Sequence, residues 1–275
     1  MLTFVGLGLY DERSITIEGR DALRACDRAF AEFYTSRLMG TTVEDLEAYH
    51  DVDVEVRDRA GVERDPEPIL AAAESEDVVF LTAGDTMIST THVDLRMRAE
   101  ERGIETRVVH GTTAGAAAAA ITGLQNYRFG KATTLPFPYA HGGDGVPKSV
   151  VDTVEANRER GLHTLVYLDI KVDHNPGKER ATGDDERERE AFMRADYAAD
   201  LLATHWDADA LAVAVCRAGS PDPLVVADRL GALADREFGD PLHLLVVPGD
   251  LHLLEADAMR ALGGAPEDVV EERTV

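Results

Sequence analysis

A carboxylate, several hydroxyls and an imidazole follow one another in residues 82–92, directly after the apolar run 78–81. A carboxylate at the end of a buried strand is suited to bind an amine or a ribose hydroxyl, so Asp85 is a candidate binding residue. The hydroxyls that follow it, at residues 89–91, could equally cap the next helix. Asp85 is therefore the residue of this segment that most favours ligand binding.

A second candidate is the glycine loop formed by Gly6 and Gly8, which follows the apolar N-terminal run. The loop lacks the third glycine of a dinucleotide fingerprint, so it predicts no particular nucleotide. Its backbone can approach a ligand closely, although an ordinary structural turn explains it as well.

A third candidate is the Ala-rich helix predicted over residues 114–122, after the segment 110–113. Such a helix lets another helix or a flat ligand approach its backbone. Charged residues also follow the apolar runs 165–168 and 213–216, and His243 begins another run. A lone histidine of this kind is more often a structural residue.

The chain lacks the sequence patterns that are typical of several kinds of chemistry. We find no C-x-x-C, no H-E-x-x-H and no close histidine pair, so no metal site is expected. Neither a P-loop nor G-x-S-x-G is present. The two cysteines, Cys26 and Cys216, predict no disulfide framework, and there is no long apolar run or basic N-terminal segment. These features predict a cytoplasmic protein.

The elements that carry these residues alternate between strand and helix, which predicts an α/β fold. We place a boundary at the Gly-Thr-Thr segment, which divides the chain into an N-terminal domain, 1–110, and a C-terminal domain, 111–275. The first is expected to hold a mostly parallel sheet and the second a mixed sheet. Helical periodicity in the second domain also predicts helices over 186–204 and 226–236.

The charge balance indicates habitat more than function. The chain has 52 acidic and 28 basic residues, a net charge of −24, and 24 of the basic residues are Arg. Such a surface disfavours binding to nucleic acid or to an anionic membrane. At molar salt the Debye length falls to about 3 Å, so the self-repulsion is screened. The composition therefore predicts a halophilic, archaeal protein.

Several blocks of the chain together resemble the diphthine synthases, a family of class III (tetrapyrrole-methylase-like) methyltransferases. The resemblance extends over about residues 1–270 and rests on blocks at 6–13, 30–36, 84–92, 121–124, 161–165 and 217–220.

The resemblance implies two α/β domains with S-adenosylmethionine in a cleft between them, in a homodimer. It implies methylation of the amino group of a modified histidine in translation elongation factor 2, which gives diphthine during diphthamide biosynthesis. Two alternatives are a class III methylase of a corrinoid or other small molecule, and a non-catalytic cofactor-binding regulator.

Carried over residue by residue, the resemblance also implies a set of cofactor contacts. The expected contacts are Leu9, Asp85, Ile88, Thr113, Ala114, Leu168, Cys216 and His243. The family's usual Gly-Asp-Pro is Gly-Asp-Thr here, and Thr113 replaces a serine. No residue is identified as the general base that frees the attacking amine, and Tyr10, His92 and Asp169 are only candidates.

Overall fold

The computed structural model describes residues 1–141, 145–172 and 190–275. The chain divides into two compact units. The first is Met1–Ala114 with the described part of Ile170–Ala191, and the second is Gly115–Asp169 with Phe192–Val275.

The first unit contains a five-stranded sheet in which every neighbouring pair of strands is parallel. Its strands are β1 (Leu2–Gly6), β2 (Arg28–Glu32), β3 (Val54–Val56), β4 (Val78–Thr82) and β5 (Thr106–Val109). Their order across the sheet is β3-β2-β4-β1-β5. The carboxyl ends of β4, β1 and β5 are therefore side by side.

Helices cover this sheet, and side chains that alternate along β1 and β4 enter two separate hydrophobic clusters. Phe4 and Phe80 pack in one cluster, whereas Val5 and Leu81 pack in the other. Burial on both faces explains why these strands are continuous apolar runs. The helices are α1 (Ile17–Ala25), α2 (Val43–His50), α3 (Arg59–Glu63), α4 (Glu67–Ala73) and α5 (His92–Glu101).

The second unit contains a mixed sheet of five strands. In chain order they are β6 (Thr133–Leu135), β7 (Thr164–Leu168), β10 (Leu211–Cys216), β11 (Leu224–Arg229) and β12 (His243–Val247). Their order across the sheet is β11-β10-β12-β7-β6, and β6 is parallel to β7 while the other pairs are antiparallel. Strands β8 (Ile170–Val172) and β9 (Glu190–Phe192) form a separate two-stranded sheet. The expected combination of a parallel and a mixed sheet is confirmed.

Helices pack around the mixed sheet, and α6 begins at the last residue of the first unit. These helices are α6 (Ala114–Thr122), α7 (Pro138–His141), α8 (Lys148–Arg158), α9 (Ala195–His205), α10 (Leu230–Ala234), α11 (Leu253–Gly263) and α12 (Glu267–Glu271), with a 3₁₀ turn at Asn126–Arg128.

Two predicted helices are wrong in part. Within 226–236, the residues up to Arg229 belong to β11, and only Leu230–Ala234 is helical. Val225 and Val226 are β-branched and pair with β10, and this pairing overrides the local helical periodicity. Within 186–204, strand β9 precedes a helix that begins only at Ala195, and residues 186–189 lie outside the described residues.

Candidate functional site

Two glycines that follow neighbouring strands join their loops through the backbone. The Gly8 N–H donates to the Gly84 carbonyl at 3.1 Å, and the Gly84 N–H donates to the Gly8 carbonyl at 2.6 Å. Both residues have φ near +79°, a conformation that residues with a Cβ adopt at a cost. Glycine is therefore required at both positions for the loops to meet.

Three strand-end glycines also leave no room for a side chain among them. A Cβ on Gly6 would lie 2.6 Å from the Gly111 nitrogen and 2.6 Å from the Gly84 oxygen. A Cβ on Gly111 would lie 2.2 Å from the same oxygen. We call the backbone of Gly6, Gly8, Gly84 and Gly111 the glycine cradle. It lies at the carboxyl edge of the parallel sheet, the edge at which α/β proteins bind ligands.

Asp85 directly follows Gly84 in the loop after β4, and its side chain holds two loops together. Its Oδ1 accepts the Met87 N–H at 2.9 Å. Its Oδ2 accepts the Gly111 N–H at 3.2 Å and lies 2.8 Å from Nδ1 of His110. Asp85 is only 4% exposed, so these contacts replace water around its charge. A carboxylate has about four acceptor positions, and three hydrogen bonds leave it able to accept another.

The other predicted contacts in the first unit follow the same three strands. Leu9 is half-buried next to the cradle, and Ile88 is 49% exposed after Asp85. Thr113 and Ala114 are partly buried at the start of α6. The parallel sheet therefore brings the loops that carry all five residues to one edge.

The remaining three predicted contacts lie on adjacent strands of the mixed sheet. Cys216, at the end of β10, pairs with His243 at the start of β12. Leu168 ends β7, one residue beyond Tyr167, which pairs with Leu244. Antiparallel pairing thus places Leu168, Cys216 and His243 at one edge of the second unit.

The ring of His243 is held in a neutral form by backbone groups on both sides. Its Nδ1 accepts the Ala195 N–H at 3.1 Å, so its Nε2 carries the proton and donates to the Asp240 carbonyl at 2.8 Å. Burial lowers the pKa of His243. Burial likewise raises the pKa of the Cys216 thiol to about 12, so Cys216 is an uncharged, buried thiol.

Glu32 and His92 form a buried pair beneath the Asp85 loop. Nε2 of His92 lies 3.4 Å from Oε1 of Glu32, and both side chains are fully buried. The His92 Nδ1–H donates to the Thr86 carbonyl at 3.0 Å. Glu32 in turn accepts the backbone N–H groups of Tyr34 and Thr35, each at 3.0 Å. The pair therefore fixes the loop that carries Asp85.

The three residues considered as a possible base have different surroundings. His92 is buried in the pair just described. The ring of Tyr10 packs on Gly40, where a Cβ would lie 2.4 Å from the ring. Oδ2 of Asp169 accepts the Phe137 N–H at 3.0 Å. His110 differs from all three, because Nδ1 of its ring lies 2.8 Å from Oδ2 of Asp85. His110 was not among the predicted site residues. Its position beside Gly111 at a strand end was the available signal.

Two kinds of feature are absent from the part of the chain that the structure describes. No group of three or more His, Cys, Asp or Glu side chains there is arranged to hold a metal ion. No helix in the described ranges has the length and apolar character needed to cross a membrane.

Comparisons with known proteins agree with this architecture. The family model of the Tetrapyrrole (Corrin/Porphyrin) Methylases matches residues 1–234. The diphthine synthase of Halorubrum lacusprofundi is 72% identical, with 99% of this chain and 100% of the relative covered. The diphthine synthase of Halobacterium salinarum is also 72% identical, with coverage of 98% and 100%. Both relatives come from halophilic archaea, as the composition predicts.

A solved structure gives the same result. A crystal structure of diphthine synthase superposes with a TM-score of 0.85 at 33% identity, and the match covers 98% of each chain. High identity over the full length, the family match and the shared fold agree with one another. The chain therefore belongs to the tetrapyrrole methylase family and, within it, to the diphthine synthases.

Proposed function

We propose that this protein uses S-adenosylmethionine to methylate the amino group of the modified histidine of translation elongation factor 2, and so makes diphthine for diphthamide biosynthesis. The observation that carries this proposal is the 72% identity, over nearly the whole chain, to proteins named diphthine synthase. The protein would act in the cytoplasm as a homodimer.

The chain's residues fit S-adenosylmethionine as the methyl donor. The glycine cradle brings the ends of β1, β4 and β5 into backbone contact at the edge of the sheet where α/β proteins bind ligands. Asp85 retains an acceptor position for a hydroxyl or ammonium group. We propose Leu9, Asp85, Ile88, Thr113 and Ala114 of the first unit, and Leu168, Cys216 and His243 of the second, as cofactor contacts. The division into domains 1–110 and 111–275 also stays a prediction.

The protein's part in such a reaction is alignment and exclusion of water. S-adenosylmethionine supplies a methyl group activated by its sulfonium. The backbone cradle and the buried Glu32–His92 pair keep the Asp85 loop in one conformation, so ligand groups bind to prearranged partners. The neutral Cys216 and His243 present no charge that would repel a sulfonium.

Methylation of purified elongation factor 2 tests the proposal directly. The substrate is factor that already carries the 3-amino-3-carboxypropyl histidine, incubated with S-adenosylmethionine in molar KCl. We expect its mass to increase by whole methyl groups, whereas factor with the unmodified histidine stays unchanged. Methylation of a corrinoid instead, or cofactor binding with no transfer to any substrate, would overturn the proposal.

Asp85→Ala tests the proposed contact separately from the function. Loss of the carboxylate should weaken binding of S-adenosylmethionine by about tenfold or more, the usual effect of removing a charged hydrogen bond. Binding as tight as that of the wild type in a calorimetric titration would refute the contact but not the methyltransferase.

A further inference from the structure

His110 combines an exposed ring with a buried anchor. Its side chain is 75% exposed, whereas the side chain of Asp85, whose Oδ2 lies 2.8 Å from Nδ1 of His110, is 3% exposed. The same oxygen accepts the Gly111 N–H, which fixes the carboxylate from a second direction. The ring is thus held at one nitrogen while the rest of it meets solvent.

The carboxylate determines which nitrogen carries the proton. An ionised carboxylate only accepts hydrogen bonds, so Nδ1 of His110 must be the donor. In the neutral ring Nε2 then has a free lone pair. Within residues 1–141, 145–172 and 190–275, no hydrogen-bond partner of this Nε2 is found.

Two other histidines of the described chain have a different arrangement. Both nitrogens of His243 contact backbone groups. Those of His163 contact Glu255 and the Gly249 N–H. These rings are buried and their nitrogens are engaged, so they serve structure. An imidazole oriented by a carboxylate through one nitrogen, with the other nitrogen open, is the arrangement of a general base.

We infer that His110 is the general base that deprotonates the substrate amine, and that Asp85 orients it. The inference rests on the proposed function, because it needs an ammonium substrate. His110 immediately precedes Gly111 of the glycine cradle, which places the residue at the edge of the sheet where the ligand is expected, and its ring is exposed there. The sequence did not show this pairing, since the carboxylate and the imidazole are 25 positions apart.

The proposed step balances in protons and electrons. An N–H bond of the substrate ammonium breaks and its proton moves to Nε2 of His110. The lone pair left on nitrogen forms a bond to the methyl carbon. The bond from that carbon to the sulfonium sulfur breaks, and its electron pair stays on sulfur. The exposed imidazolium then releases its proton to water, so each further methylation can use the same ring.

The test compares His110→Ala and His110→Gln with wild-type protein in single-turnover methylation of the modified elongation factor. We expect the rate to fall by about 10²-fold to 10⁴-fold, the usual contribution of a general base. The dissociation constant of S-adenosylmethionine should stay within about threefold, since Nε2 is not a cofactor contact. Added imidazole should restore part of the rate of His110→Ala, because a free base can enter the space left by the ring.

His252→Ser is the matched control, since His252 is exposed in the second unit and serine also caps a helix. Its rate should equal that of the wild type and should not respond to imidazole. Wild-type rates for both His110 variants, or a loss that imidazole does not relieve, would overturn the inference while the proposed function stands. A wild-type protein that cannot methylate the factor would overturn both.

Discussion

Glu32 and His92 face each other at 3.4 Å in the interior of the first unit, and their side chains have no contact with solvent. Burial raises the pKa of Glu32 and lowers that of His92, so both groups favour their neutral forms. His92 donates from Nδ1 to Thr86, and its Nε2 lone pair is therefore directed at Glu32. A protonated Glu32 can supply the missing donor.

This neutral pairing predicts that Glu32→Gln is tolerated. The glutamine oxygen can accept the N–H groups of Tyr34 and Thr35, and its amide can donate to Nε2 of His92. We expect a loss of less than about 1 kcal/mol in the free energy of unfolding, against about 2–4 kcal/mol for Glu32→Ala. Urea unfolding in molar KCl measures both.

An exposed ion pair provides the control for this comparison. On the surface, Nη2 of Arg102 lies 2.6 Å from Oε2 of Glu67. Glu67→Gln should change the free energy of unfolding by less than about 1 kcal/mol. If Glu32→Gln costs as much as Glu32→Ala, the buried pair is ionised and our assignment of its protons is wrong.

Gly6→Ala should damage both stability and cofactor binding. The new methyl group would lie 2.6 Å from backbone atoms of Gly84 and Gly111, which cannot rotate away. Separating the strand ends should cost about 1–3 kcal/mol and weaken binding of S-adenosylmethionine. Thermal unfolding and calorimetric titration report the two effects.

Gly231→Ala is the matched substitution, because its nearest atom to a new Cβ is 3.4 Å away and the residue lies in a helix. It should leave cofactor binding unchanged. Equal binding by Gly6→Ala and Gly231→Ala would show that the cradle does not hold the cofactor.

Because His243 is buried, we expect the protein to lose stability in mild acid. Because burial lowers its pKa below the ordinary value of 6.5, the unfolded chain binds this proton more tightly than the folded chain. The contribution of His243 to the free energy of unfolding is therefore fully present above pH 6.5 and is lost as the pH falls below that value. Burial also lowers the pKa of His50, His92 and His163, so these residues lose stability in acid as well. Burial raises the pKa of Glu32, so this residue has the opposite effect on stability as the pH falls.

His243→Gln removes one of these titrations and keeps one donor and one acceptor. Melting temperatures of wild type and variant, measured from pH 7 to pH 5, should converge as the pH falls. One proton changes the free energy of unfolding by at most about 1.4 kcal/mol per pH unit. Parallel curves would mean that His243 does not titrate differently in the two states.

The net charge of −24 predicts that stability depends on salt. Between about 0.1 M and 1 M salt the Debye length falls from about 10 Å to about 3 Å, and repulsion between surface carboxylates weakens. The melting temperature should rise steeply with KCl. Sucrose at equal osmolality does not screen charge and should raise it much less. Equal effects of KCl and sucrose would point to solvent exclusion instead of screening.

Much of the architecture was accessible from local patterns. The apolar runs 2–7, 78–81 and 210–216 predict strands, and the structure confirms strands at Leu2–Gly6, Val78–Thr82 and Leu211–Cys216. Their burial on both faces makes the pattern unambiguous. The segment 224–229 misled the prediction because a short apolar run fits helix and strand alike, and only pairing with β10 decides between them.

The sequence by itself determined which residue types stand at the strand ends, because glycines, carboxylates and apolar runs are local features. It also indicated a halophilic origin, because the total charge can be counted from the sequence without knowing the fold. Only the tertiary structure decided which strand ends are neighbours, and so brought Asp85 to His110 and Glu32 to His92. Hydrogen bonds between residues far apart in the chain depend on strand order, and strand order is set by packing of the whole sheet and not by local periodicity.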